Sequence, residues 1–269
     1  MGSRLGRFAT RWFFAVILTA WSVTFGLASY RSRLLLSVIV EHFGWERLLG
    51  EGVNPQLPTA TMEELFDGVL AAPIVFPTYR DGNVQTVEIA VINELVRRDS
   101  PSVLFEIGTF DGRSTSNLAA NSPAGAVVYT LDLPVDGPLD TTHEIERGEE
   151  KYARDTRVGE LFASEELPDR GKIAQLFGDS ATFDDTGYRG KVDFVFVDGS
   201  HHADYVRNDT ELALRLLGDS GGLIVWHDYA NAHWPGVTSV LDGYSGHARL
   251  RGMTHIEGCT LVFCHVAAS

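Results

Sequence analysis

Val103 to Thr115 reads VLFEIGTFDGRST, an apolar run of strand length that reaches an acid, Glu106, turns through Gly108 and Gly112, and continues polar. The order predicts a strand, a tight glycine turn and a helix. Gly108 lets the backbone turn without Cβ strain, and Gly112 is expected to let it approach a ligand. Free amides opening the next helix, around Ser114, would then face an anionic group.

Ala126 to Leu131 is a second apolar run, interrupted only by Thr130 and closed by Asp132. That places a carboxylate about twenty residues after the turn, where a parallel βαβ unit holds ribose hydroxyls. A dinucleotide fingerprint would need glycine where Phe110 stands, which argues against a nicotinamide cofactor. The run E-I-G-T-F-D-G, Glu106 to Gly112, resembles motif I of the class I S-adenosylmethionine-dependent methyltransferases. The resemblance covers about residues 61 to 266. It implies a Rossmann-like, doubly wound α/β sheet of seven strands, mostly parallel with the last antiparallel. Glu106, Gly108, Phe110, Gly112, Ser114 and Asp132 are then the cofactor-binding candidates.

Further along, Lys172 to Phe177 ends in Gly178-Asp179-Ser180, and in this fold Asp179 and Ser180 would lie beside the adenine. Val192 to Val197 ends at Asp198 and is followed by Gly199-Ser200-His201-His202, while Leu223 to Trp226 ends in His227-Asp228-Tyr229. Ligands of open α/β sheets bind outside the carboxyl ends of strands, so Glu106, Asp132, Asp198 and Asp228 are expected on one rim. Asp198 and Asp228 could share a divalent cation such as Mg²⁺, with His227 as a nitrogen ligand, and His201 could take the acceptor's proton.

D-x-x-H after one strand and H-D after the next are similar to the metal-dependent O-methyltransferases of the catechol and sugar types. Those families carry an acid matching Asp198, a base matching His201 and an acid matching Asp228. The chain departs from them at Tyr229, where the catechol type has an amide, and at His227, where the sugar type has an acid. A donor set with nitrogen is a poorer Mg²⁺ site and would also suit Mn²⁺ or Fe²⁺. The charge run Glu144 to Lys151 reads as a solvated face, Asp209 as an acid on an apolar helix stripe in need of a partner, and Tyr229 and Trp234 as stacking surfaces for an acceptor ring.

The chain has 269 residues, 44% of them hydrophobic, and a formal charge of −14. That length suits one catalytic core, and the charge argues against nucleic acid as a partner. Met1 to Arg33 is different, with five arginines and no acid. Between them Trp12 to Ser29 carries no charge, which predicts a membrane helix. Residues 34–58 read as an amphipathic helix and linker, and 59–269 as the methyltransferase domain. A location at the membrane with the catalytic domain in the cytoplasm follows, since the cofactor is cytosolic, and a homo-oligomer is compatible.

The function expected is S-adenosylmethionine-dependent methylation of a hydroxyl on a small-molecule, sugar or lipid-linked acceptor. Two other classes stay open: an NAD(P)- or nucleotide-sugar-binding oxidoreductase, and a silent cofactor-binding module.

Overall fold

The computed structural model describes residues 53–268 except 137–139, 147, 155–156, 164–166 and 168, together with 13, 16, 17, 19–21 and 24. It divides into a unit Met1–Gly52 and a unit Val53–Ser269. In the first, Phe13, Val16, Ile17, Thr19, Ala20, Trp21 and Thr24 are helical and exposed. The rest of the anticipated Trp12–Ser29 helix, and all of Leu34 to Trp45, lie outside the described residues.

The expected membrane location is corrected. Among the described residues no helix is long and apolar enough to cross a membrane. The longest of them, Ala203–Leu217, has 15 residues and rises about 22 Å, short of a hydrocarbon core of about 30 Å. It is also amphipathic, with one buried face and one polar face.

The second unit is a sheet covered on both faces. Its strands are β1 (Thr59–Ala60), β2 (Val103–Ile107), β3 (Val127–Asp132), β4 (Ile173–Phe177), β5 (Phe194–Val197), β6 (Gly222–Trp226), β7 (Thr254–Ile256) and β8 (Val262–Val266), in the order β1-β7-β8-β6-β5-β2-β3-β4. This is eight strands where seven were expected. The end of the chain contributes two antiparallel strands, β7 and β8, around a turn in which Gly258 takes φ +82. β8 also runs antiparallel to β6, whereas β2 to β6 pair in parallel. Cys259 lies in that turn and Cys264 in β8, both as free thiols.

The helices are α1 (Met62–Phe66), α2 (Thr86–Asp99), α3 (Arg113–Asn121), α4 (Glu150–Ala153), α5 (Glu160–Ala163), α6 (Ala203–Leu217) and α7 (Pro235–Gly243). Along β5, Val195 and Val197 point into one core with Leu212, Leu216 and Leu241 from α6 and α7, while Phe194 and Phe196 point into the other with Ile89, Ile92 and Leu118 from α2 and α3. Burial on both faces is why the strand reads as unbroken apolar sequence. A capping box closes α1, with Thr61 accepting from the Glu64 amide and Glu64 accepting from the Thr61 amide, and Pro235 opens α7. The end of the anticipated linker packs on the domain: Leu57 is buried, and the amides of Gln56 and Leu57 donate to the Tyr229 hydroxyl at 3.0 Å.

Strands β3 and β4 lie to one side of β2, and β5 and β6 to the other. The chain reverses direction across the sheet between β2 and β5. The crevice beyond their carboxyl ends is the topological switch point at which open α/β sheets bind ligands.

Candidate active site

The glycine turn after β2 is built against its neighbours. Gly108 sits at φ +100 and donates to the Leu131 carbonyl, and a Cβ on it would meet the Asp198 carbonyl oxygen at 2.1 Å. Only glycine brings the end of β2 this close to the end of β5. Gly112, at φ +86, is filled against Phe162 of α5, which a Cβ would meet at 2.5 Å. Its close approach is therefore to protein.

Asp132 binds the turn itself. Oδ2 accepts from the amides of Thr109 (2.9 Å) and Phe110 (2.8 Å), and Oδ1 accepts from Leu133 (2.7 Å). Phe110 takes φ +48 within this hold, a costly conformation for a bulky residue. Beneath the turn Glu106 is fully buried, accepting from the hydroxyls of Thr115 and Thr130, with Ser114 a further donor. Burial pushes its carboxyl up to about 7 against those donors. Its Oε1 has no hydrogen-bond partner among the described residues.

Asp179 and Ser180 are tied to other partners. Asp179 Oδ2 accepts from the amide and hydroxyl of Thr142, and Oδ1 from the Tyr205 hydroxyl at 3.0 Å. Ser180 bonds Asp209, which Asn208 also meets at 2.9 Å. These are the partners that the acid on the α6 stripe lacked in the sequence. Burial still raises Asp209 to about 7.

Past β5 and β6 four candidates converge. His201 Nε2 lies 2.6 Å from Asp228 Oδ2, and His227 Nδ1 lies 2.9 Å from the same oxygen and 3.0 Å from Asp198 Oδ1. Asp228 stands at φ +62, held by a bond from its amide to Thr260 Oγ1 (3.3 Å) and by Asn231, which donates to Oδ1 at 2.6 Å. Trp234 stacks on the His201 ring with centroids 4.3 Å apart. Tyr229 is fully buried, its hydroxyl donating to Asp242 at 2.6 Å. It supplies no stacking wall.

Two carboxylates complete the cluster, and neither stood out in the sequence. Glu149, from the charge run read as a solvated face, is 5% exposed. It accepts from the His201 amide at 2.7 Å, from the His201 ring at Nδ1, and from the Ser200 hydroxyl at 2.9 Å. Glu88, third residue of α2, accepts from His227 Nε2 at 3.0 Å. Its place in a capping box, with Gln85 donating to it at 3.0 Å, was a sequence signal for a helix start, not for chemistry.

The electrostatics follow from this pairing. Burial alone would lower the two imidazoles, but the Asp228 and Glu149 bonds raise His201 to about 10, and the charges of Asp228 and Asp198 raise His227 well above its usual value. Burial would raise Asp228, yet the two histidines hold it well below the carboxylate range, while burial prevails at Asp198 and raises it.

One ligand atom from each of Asp198, His201 and Asp228 lies within 4.8 Å of the others, a donor set of two carboxylates and an imidazole that fits a divalent cation. His227, the nitrogen ligand anticipated from sequence, faces the same two acids. For a nucleoside cofactor the fit rests on Asp132 at the end of β3 and on the unsatisfied Oε1 of Glu106 beside the switch point.

Residues 105–229 match the family model described as a methyltransferase domain. The fold is of the class I methyltransferase kind, and the stretch from β2 to the end of β6 is a methyltransferase domain.

Among solved structures, an O-methyltransferase from Bacillus cereus in complex with SAH is similar at 18% identity and a TM-score of 0.50, over 70% of this chain and 84% of its own. A cofactor-bound protein from MTB is similar at 18% identity and a TM-score of 0.50, over 71% and 84%. The O-methyltransferase TomG from Streptomyces achromogenes, in complex with SAM, is similar at 20% identity and a TM-score of 0.49, over 70% and 83%. These likenesses concern the fold. No curated protein sequence matches the chain.

Proposed function

We propose that the chain transfers the methyl group of S-adenosylmethionine to a hydroxyl of a small-molecule acceptor, with His201 as the base. The observation that carries this reading is the position of His201 beside two strand-end acids at the switch point, its Nε2 2.6 Å from Asp228 and its ring stacked on Trp234. The O-methyltransferase likeness of the Bacillus cereus structure supports the choice of oxygen as acceptor.

Methyl transfer from a sulfonium is an in-line displacement: an O–C bond forms, the C–S bond breaks, and its electron pair stays on sulfur. The protein has to align the two partners and accept one proton. Asp132 and the Thr109–Phe110 amides organise the cofactor side, and Trp234 offers an apolar face to the acceptor. Replacing Asp228 at Nε2 removes one of the two charges that hold a proton on the His201 ring, and the neutral imidazole then takes the proton of the acceptor hydroxyl while Glu149 keeps the ring oriented through Nδ1. A divalent cation held by Asp198 and Asp228 would, when bound, acidify a coordinated hydroxyl.

The test is incubation of the full chain with methyl-labelled S-adenosylmethionine and a panel of phenolic, sugar and aliphatic hydroxyl compounds. Label in an ether product, lost in His201→Ala, is the expected result. Label on nitrogen, or turnover unchanged in His201→Ala, would overturn the assignment.

A further inference from the structure

We infer that Glu88 fixes His227 as a metal ligand, so that the site between Asp198 and Asp228 takes a transition-metal dication of the Co²⁺ or Zn²⁺ class in preference to Mg²⁺. This rests on the reading of those two acids as cation ligands and adds the residues that choose the ion.

Glu88 is 1% exposed and its two oxygens are taken up within the protein. Oε2 accepts from the Gln85 amide (3.0 Å) and faces His227 Nε2 (3.0 Å), and Oε1 accepts from the amide and hydroxyl of Thr260, both at 2.8 Å. An ionised carboxylate only accepts, so Nε2 carries the hydrogen and Nδ1 is the nitrogen turned toward the acids. Nδ1 lies 3.0 Å from Asp198 Oδ1 and 2.9 Å from Asp228 Oδ2. Adjacent ligands about 2.1 Å from an octahedral dication stand about 3.0 Å apart, which matches both distances.

The same scaffold holds the second acid. Thr260 Oγ1 donates to Glu88 and accepts from the Asp228 amide, so one buried carboxylate orients His227 directly and Asp228 through Thr260. A histidine whose far nitrogen is clipped by a carboxylate is the arrangement that orients and strengthens metal-bound imidazole. Imidazole in place of an oxygen ligand favours Co²⁺, Ni²⁺ or Zn²⁺ and penalises Mg²⁺, which demands oxygen.

The experiment titrates metal-free full-length protein with Co²⁺ and with Mg²⁺, following the visible absorption of bound Co²⁺ and competition by Mg²⁺. His227→Asn should change the Co²⁺ spectrum and cut the Co²⁺ over Mg²⁺ preference by at least about tenfold. Glu88→Gln, which keeps size and shape, should weaken Co²⁺ by about 10- to 100-fold while S-adenosylmethionine affinity holds. A Co²⁺ spectrum unchanged in His227→Asn would overturn the inference. A folded chain that binds S-adenosylmethionine but neither dication would overturn it and leave the methyl-transfer reading standing. A chain that binds Co²⁺ but no S-adenosylmethionine would sustain it and overturn that reading instead.

Discussion

Glu149 and His201, 52 positions apart, are joined twice: one carboxylate oxygen accepts from both the backbone amide and the ring Nδ1 of the histidine. Glu149 precedes α4, on a segment also tied down by Thr142 to Asp179 and by the His143 ring against Tyr205, 5.1 Å between centroids. The same stretch of chain that bonds Asp179 and Tyr205 therefore also orients the site's histidine. Glu149→Gln removes one of the two charges that raise His201 to about 10. The His201 ring should then titrate at lower pH, and the rising limb of any turnover profile should move the same way, because the neutral imidazole is the base. NMR titration of the labelled ring reads this directly, and an unmoved midpoint would sever the link.

Asp132→Ala leaves the amides of Thr109 and Phe110 without their acceptor and removes the strand-end carboxylate from the cofactor side. Affinity for S-adenosylmethionine should fall at least about tenfold, some 1.4 kcal/mol, with further loss of stability from the orphaned amides. Calorimetric titration and a thermal melt separate the two effects. Unchanged affinity would place the cofactor elsewhere.

Gly108→Ala tests how the ends of β2 and β5 are brought together. The new Cβ would overlap the Asp198 carbonyl at a residue with φ +100. A loss of more than about 3 kcal/mol is expected in denaturant unfolding. A loss below about 1 kcal/mol would mean the two strand ends can part.

Stability should also depend on pH through Glu106, whose pKa rises on folding from an ordinary 4.5 to about 7 because of burial. The folded chain then binds the proton more tightly than the unfolded one. This contribution is fully present below about 4.5 and is lost as pH rises through 7, a difference of roughly 3 kcal/mol. Glu106→Gln should flatten that fall, so that the variant gains on the wild type between pH 5 and pH 8 in thermal melts. Parallel curves would show that Glu106 ionises normally.

The strands and their terminal acids were legible because β2, β3, β5 and β6 are buried on both faces and each runs into Asp or Glu near its exit. The strand β7 was not, since Thr254–Ile256 is only three residues long and just one of them, Ile256, is apolar and buried. Glu149 was hidden for a different reason: Glu144 to Lys151 has the composition of a solvated face, and only the return of the chain over the end of β5 buries one of its acids. Glu88 looked like an ordinary cap because capping uses the same carboxylate that reaches His227. Gly112 illustrates the converse, a glycine whose spacing suggested a ligand and whose missing side chain makes room for Phe162.

A methyl donor seated across the ends of β2, β3 and β5 should reveal itself in calorimetric titration of the folded full chain with S-adenosylmethionine. Saturable one-to-one binding is expected, weakened at least about tenfold in Asp132→Ala. Absence of heat at millimolar cofactor, with the protein folded, would contradict it.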